Sequence, residues 1–520
     1  MKGTRKSRAF NAPYESTRQL VLSGFETPFE RELDKRNRWV VLSHLIPWDE
    51  ICGIYLRKVP PSSTGRPAIN PRIVLGSLII KYMCDLDDRE TVDQISENVY
   101  MQYFLGYPSF TSDKPFDASL FVDFRKALGL DTINEINEKI VLLKTQMVLS
   151  QESNRKEGSG SDAGDSSAGN REEETPSHKG KVIFDATCCP QDIAYPTDLD
   201  LLSDAREKAE ELIDIAYRKS GLVDKPRTYR KQARKLYLAT AQKKNKSKQV
   251  IRRAIREQLH FLRRDIGIIH SLLDGCERIP FKKSQLKYFY VIQTLYDQQL
   301  EMYNQGVHSV EDRIVSIHQP HVRPIVRGKS RSKVEFGSKI HVSVIDGISF
   351  LDELSWDAFN EGSRMESYVE MYRKRFGFYP REVLADKIYC TRENRKMLKG
   401  KGSGILLKAK PLGRPSASAV LNHVSPGERN PIESKFGQAK TAYGLDRVKA
   451  RLKQTSESWI AGIFMVLNLV KLAGAALPCL IKRYVLLFLQ KLFRKFDIGV
   501  VHWVMAFDCN LSVSLRTDRV

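Results

Sequence analysis

Three acidic residues stand where a strand edge or a helix start can present them for chemistry. Asp185 lies inside the apolar run VIFDAT (182–187). A carboxylate there is costly unless it has a partner. Asp386 follows the apolar part of REVLADKIY (381–389), where a side chain reaches the carboxyl edge of a sheet. Glu433 lies in ERNPIESKFGQAK, at the start of a predicted helix. Carboxylates are the oxygen donors that hard Mg²⁺ prefers. Phosphodiester cleavage by two metal ions needs three or four such donors around ions about 3.5–4 Å apart. Clustered carboxylates repel one another without a cation, so structure alone seldom keeps them together. Lys440 comes seven residues after Glu433. That is two turns on and about 20° round the helix, so it shares the face and can hold a DNA phosphate.

Each residue also has a plainer reading. Asp185 and Asp386 fit a turn, a salt bridge or a solvated charge. With Asn430 as cap and Pro431 at the first helical position, Glu433 fits a capping box that needs no catalysis. The joint occurrence favours chemistry: two strand-end aspartates and a helical glutamate, in chain order.

The elements around them fall into two styles. Residues 1–150 read as helices joined by tight turns. An amphipathic stretch RIVLGSLIIKYMCDLD opens at Pro71, RETVDQISENVYMQYFLGY follows, and ASLFVDFRKALG is capped by Asp117 or Ser119. This pattern suits a helix-turn-helix-like DNA-binding module, and equally a small helical bundle. Residues 151–180 are Gly, Ser, Asp and Glu with almost nothing apolar, and read as a flexible linker. From 181 to 475 the order is a strand, a helical insertion over about 200–310, strands at 313–319, 324–328, 333–346 and 348–357, then helix, strand, helix, strand, helix. The expected fold class is α/β: a mixed sheet of the ribonuclease-H type, interrupted by a helical insertion and preceded by an all-α domain. Residues 476–520 form a tail with one apolar helix and no motif.

Charge narrows the partners. The 520 residues carry 84 Lys+Arg against 62 Asp+Glu, a net +22, which favours a polyanion. From Lys225 to Arg256 run thirteen basic residues and no acid. With Tyr229 and Tyr237 among them, Arg230, Lys231, Arg234 and Lys235 are candidates for phosphate contact, against the alternative of a solvated face. The eight cysteines show no CxxC. Reduced thiols in a cytosolic protein are expected rather than a zinc ribbon or a disulfide framework. The first thirty residues carry no apolar run of signal-peptide type. Trp459–Ile481 has bilayer-spanning length, but Asn468, Lys471 and Pro478 within it favour a buried core helix over a membrane span.

Three separated segments carry a resemblance. GRPAINPRIVLGSLIIKYM with FDASLFVDFRKALG, then VIFDATCCPQDIAYPTDLDLLSDAREKAEELID, then LADKIYCTRENR with ERNPIESKFGQAKTAYGL are similar, in that order, to DDE transposases of the insertion-sequence-five superfamily. A signature of that group runs Tyr, two residues, Arg, three residues, Glu, six residues, Lys. Arg429, Glu433 and Lys440 fall in its register, whereas Pro426 stands at the tyrosine. The resemblance covers roughly residues 40–470. It implies that Asp185, Asp386 and Glu433 bind two Mg²⁺ ions, which Mn²⁺ can replace, and that Arg429 and Lys440 touch phosphates near the scissile bond. It also implies cleavage at the ends of an insertion sequence and strand transfer to target DNA. The partners would be double-stranded DNA, as terminal inverted repeats and target, and further copies of the chain in a homodimer or larger assembly, at the bacterial nucleoid in the cytoplasm. A metal-dependent nuclease without strand transfer and a transposase-derived DNA-binding protein are the alternatives.

Overall fold

The computed structural model describes residues 32–60, 68–156, 178–276, 278–326, 334–401, 404–409 and 427–496, with the side chains of 143–156 and 475–496 left aside. The chain opens with helices α1 (Arg38–Leu45), α2 (Trp48–Lys58), α3 (Pro71–Cys84), α4 (Asp88–Glu97), α5 (Val99–Leu105) and α6 (Leu120–Lys156). Asn70 caps α3 through Arg72 N, and Pro71 fits its first turn. The stretch predicted as one helix from Arg89 to Tyr107 divides at Asn98, whose side chain accepts from Tyr100 N and Met101 N to start α5. Asp117 accepts from Ser119 N and Oγ just ahead of α6. Gly129 (φ 67°, ψ 177°) breaks that helix into two runs.

Helix α3 departs from the amphipathic expectation. It is buried nearly all round, Arg72 and Lys81 included. Arg72 donates to Phe104 O and lies over the Trp48 ring, so its charge is spent inside. A helix enclosed in this way cannot lie in a DNA groove.

Strand β1 (Lys181–Pro190) begins the sheet. The insertion follows as α7 (Asp198–Ser220), α8 (Arg230–Ala241), α9 (Lys248–Asp274) and α10 (Lys283–Gln305). It packs its own apolar core, with Leu202, Leu212, Leu262, Ile292 and Leu295 at the centre. The strand expected at 313–319 does not form. That segment is irregular and buries Ile314, Val315 and Ile317, so its apolar alternation marks packing rather than pairing. The sheet resumes with β2 (Arg323–Val326), β3 (Val334–Ile345) and β4 (Ile348–Ser355). Then come α11 (Met365–Phe376), β5 (Glu382–Leu384), α12 (Arg392–Lys399), β6 (Leu406–Lys408), α13 (Asn430–Ala442) and α14 (Lys453–Phe496).

Among the described residues the sheet has six strands in the order β2-β3-β1-β5-β6, with β4 also paired to β3. β1 is antiparallel to β3 and parallel to β5, which is parallel to β6. This is the mixed sheet of a ribonuclease-H-like DDE domain behind a helical N-terminal region, as the sequence led us to expect.

The helical region is joined to the sheet by packing. One continuous apolar cluster takes in Trp39, Ile79, Phe104 and Ile136 from the helices, Ile183, Val342 and Leu384 from the sheet, and Phe464 and Leu467 from α14. The regions on either side of the boundary expected at 151–180 thus share a core. Residues 151–156 extend α6, and 157–177 lie outside the described residues. Lys81 and Arg125 both pair with Asp88 and both lie within about 6 Å of the Trp459 ring. Gly462 lets α14 approach closely, since a Cβ there would come within 2.4 Å of the Tyr82 ring. Asn468 accepts from Ser349 N and donates to Asn137 Oδ1 and Ser349 O. Residues 453–474 are long and apolar enough to cross a membrane, but 78% of that window is buried within the structure.

Candidate active site

Register sets the two aspartates side by side. Ile183 of β1 is level with Leu384 of β5, and Asp185 and Asp386 each lie two residues further along parallel chains. Side chains alternate along strands, so both carboxylates emerge on the same face. Val182 and Phe184 point the other way, into the core beneath α11. Asp386 follows the short β5 and accepts from Lys387 N at the start of a 3-10 turn, Lys387–Tyr389. The extended reading of 381–389 therefore holds only for its first half.

One arginine joins the pair. Arg429 Nη2 donates to Asp185 Oδ2 at 2.8 Å, and Nη1 lies 3.6 Å from Asp386 Oδ1. The side chains of Asp185 and Arg429 are 21% and 19% exposed, that of Asp386 48%. Burial pushes the Asp185 carboxyl above the usual carboxylate range. Arg429 and the Ala186 amide pull it back only in part, and Asp386 and Glu361 add to the rise. The guanidinium expected to meet DNA phosphate is here engaged by the two acids.

Arg429 is also the N-cap of α13, and the helix has no side-chain cap. The capping box expected from Asn430 and Glu433 is absent because Asn430 is already helical. Pro431 occupies the first turn as expected. Glu433 is exposed, and among the described residues its carboxylate makes no hydrogen bond or ion pair. Glu428 instead faces Lys181 at 3.6 Å and Lys408 at 3.9 Å. Lys440 sits in the last turn of α13, half-buried.

Sequence reading missed two neighbours. Glu361 lies in a 3-10 turn after β4, bonded to Lys339 of β3, which also donates to Phe359 O at 2.6 Å. No periodicity surrounds Glu361, so nothing in the chain marks it. Tyr389 is fully buried with an unpartnered hydroxyl. Burial first, then the charges of Glu361 and Asp185, hold its proton on.

Among the described residues, no three of His, Cys, Asp and Glu stand close enough to hold a metal ion. The structure brings Asp185 and Asp386 together, with Glu433 one helical turn from the arginine between them. The two aspartates fit magnesium in kind: both offer carboxylate oxygens, and both already face positive charge.

In the insertion, Arg230 grips both oxygens of Asp214, at 3.1 and 2.8 Å, and Lys225 adds a third contact at 2.8 Å. Arg230 is therefore a strut of the helical bundle. Lys231, Arg234 and Lys235 are exposed, and their side chains have no ion pair among the described residues. Lys243, Lys244, Lys246, Lys248 and Arg256 are exposed as well.

The mixed sheet carries two neighbouring acids, Asp185 midway along β1 and Asp386 just past β5, the arrangement expected of a ribonuclease-H-like DDE domain. Comparison with known proteins agrees. Residues 383–470 match the family described as Transposase DDE domain, and residues 27–127 match Transposase domain (DUF772). A Rhizobium meliloti chain described as uncharacterized protein ORF8 in the nfe locus is 29% identical over 177 residues, covering 34% of this chain and 72% of the relative. No solved structure matches. The chain thus carries a transposase DDE domain with a DUF772 transposase domain ahead of it. Asp386, Arg429, Glu433 and Lys440 fall inside the matched stretch, whereas Asp185 lies between the two matches.

Proposed function

We propose that this chain binds the ends of an insertion sequence, cuts DNA there and joins the freed 3′-hydroxyl to target DNA. The observation that carries the reading is the pair Asp185 and Asp386, level on neighbouring parallel chains and bridged by the residue that caps the Glu433 helix. Asp185, Asp386 and Glu433 would hold two Mg²⁺ ions. When bound, such ions stabilise the attacking and leaving oxygens of an in-line displacement. The apolar floor of Val182, Phe184 and Val383 fixes the backbone that presents the aspartates. Lys440 holds a phosphate near the scissile bond. Lys231, Arg234 and Lys235 grip the DNA backbone further away, where contacts set affinity and register but carry no sequence information. The chain acts as a homodimer or larger assembly on its DNA.

The test uses the full chain with Mg²⁺ and a duplex carrying the element's own end. Cleavage followed by joining to a second duplex is expected. Asp386→Asn and Glu433→Gln should each lose cleavage by several orders of magnitude while still shifting the duplex in a gel. Cleavage without joining would make the protein a nuclease. Normal cleavage by either variant would overturn the assignment of that residue.

A further inference from the structure

We propose that Arg429 holds the place of the metal charge between Asp185 and Asp386, and that loading metal requires its guanidinium to leave. The inference rests on the metal-site reading above. Arg429 reaches Asp185 Oδ2 at 2.8 Å and Asp386 Oδ1 at 3.6 Å. These carboxylate oxygens are the ones a divalent ion would need, and two cations cannot share them without repulsion. The guanidinium is incompletely held, because its Nε is buried with no hydrogen-bond partner. Arg429 therefore has one hydrogen bond and one looser ion pair to give up, and one unsatisfied donor to satisfy elsewhere. A DNA phosphate satisfies such a fork well.

The residue's place in the backbone makes the exchange more than local. Arg429 is the N-cap of α13, and its carbonyl accepts from Glu433 N at 3.4 Å. Two residues before it, Gly427 sits at φ +97°, a conformation that favours glycine, and its carbonyl accepts from Asn430 N. Glu428 between them is held by Lys181 and Lys408. The turn is thus pinned through Glu428, while among the described residues the guanidinium of Arg429 is held only by the two aspartates. Release of Arg429 frees the first turn of α13, which carries the exposed Glu433. Arg429 is accordingly a positioning residue in the metal-free state, and it couples entry of the metal to arrival of the third acid.

The experiment measures Mn²⁺ binding to the full chain without DNA, by electron paramagnetic resonance. Arg429→Ala should bind Mn²⁺ at least about tenfold more tightly than the unaltered chain, because the competing charge is gone. Arg429→Gln, which is shorter and uncharged but keeps a hydrogen-bond donor, should move affinity the same way and guards against a folding defect in the alanine variant. Hydrogen exchange adds a second readout. Mn²⁺ should change protection of the amides at 432–434 in the unaltered chain and hardly at all in Arg429→Gln. Affinity that is unchanged or weaker in both variants overturns the placeholder. If Mn²⁺ binding is also indifferent to Asp185→Asn and Asp386→Asn, the metal-site reading itself fails. Binding that needs both aspartates but ignores Arg429 overturns only the present inference.

Discussion

Two of the arginine–carboxylate pairings in this molecule have opposite electrostatic outcomes. In the insertion, burial raises the Asp214 carboxyl, but hydrogen bonds from Arg230 and Lys225 together outweigh it, and the acid ends below its ordinary range. On the central strand β1, burial of Asp185 outweighs Arg429, and the acid ends above it. The chemistry of the pairing is the same. The number of cations per acid differs: two on Asp214, and one shared between Asp185 and Asp386. A bundle that needs only to stand has balanced its charges. The Asp185–Asp386 pair keeps fewer cations than acids, a surplus that under the proposed function serves a metal cation and costs stability.

The comparison breaks most visibly if both aspartates are neutralised in turn. Asp185→Asn should abolish cleavage by several orders of magnitude without lowering the melting temperature, because a group whose folded pKa is raised is destabilising when ionised. Asp214→Asn should leave cleavage near the unaltered rate and lower stability by only about 1 kcal/mol, since Arg230 is 40% exposed and screened by solvent. Paired cleavage assays and melting curves check both. Equal loss of activity in the two variants would erase the distinction.

A second contrast lies within the basic run. Neutralising Lys231, Arg234 and Lys235 together should reduce the slope of log affinity against log salt by about 0.9 for each phosphate they neutralise, or about 2.7 if all three touch DNA. Arg230→Ala should leave that slope unchanged and lower the melting temperature instead. An unaltered slope in the triple variant would make the run a solvated face.

The smallest effect concerns Asp265 of α9, whose two carboxylate oxygens are buried and unpartnered. Burial raises its pKa to about 7, with Glu210 adding to the rise and Arg264, Arg206 and Arg230 opposing it. The folded state therefore holds a proton that the unfolded chain releases near 3.8. Stability from this group falls as pH rises between those values and stays lost above them. Asp265→Asn should raise the melting temperature by a few degrees at pH 8 and by less at pH 5. An equal gain at both values would show that ionisation is not the cause.

Much of this was legible in the chain because it rests on local pattern. VIFDAT and REVLAD are short apolar runs carrying an aspartate at or near their ends, and the pleat alone places both acids on one face. The helical character of the insertion follows from its periodicity, whereas its division into four helices appears only in the structure. What escaped depended on partners distant in sequence. The full burial of α3 requires α14 as a lid. The segment 313–319 alternates like a strand yet serves two apolar clusters with no neighbour to pair with. Arg230 belongs to a one-signed run, and only the fold shows Asp214 beside it. The tertiary role of Arg429 was equally hidden, since its partners lie far from it along the chain.

Helix α14 has a consequence in time. The N-terminal helices close their core against Trp459, Phe464 and Leu467, residues made more than three hundred positions after α3. At about 5–20 residues per second, a ribosome leaves that apolar surface uncovered for tens of seconds. The region matched as a transposase domain at 27–127 therefore completes its packing only when translation has passed the whole catalytic sheet. A chain released early would carry exposed apolar helices that invite aggregation or proteolysis.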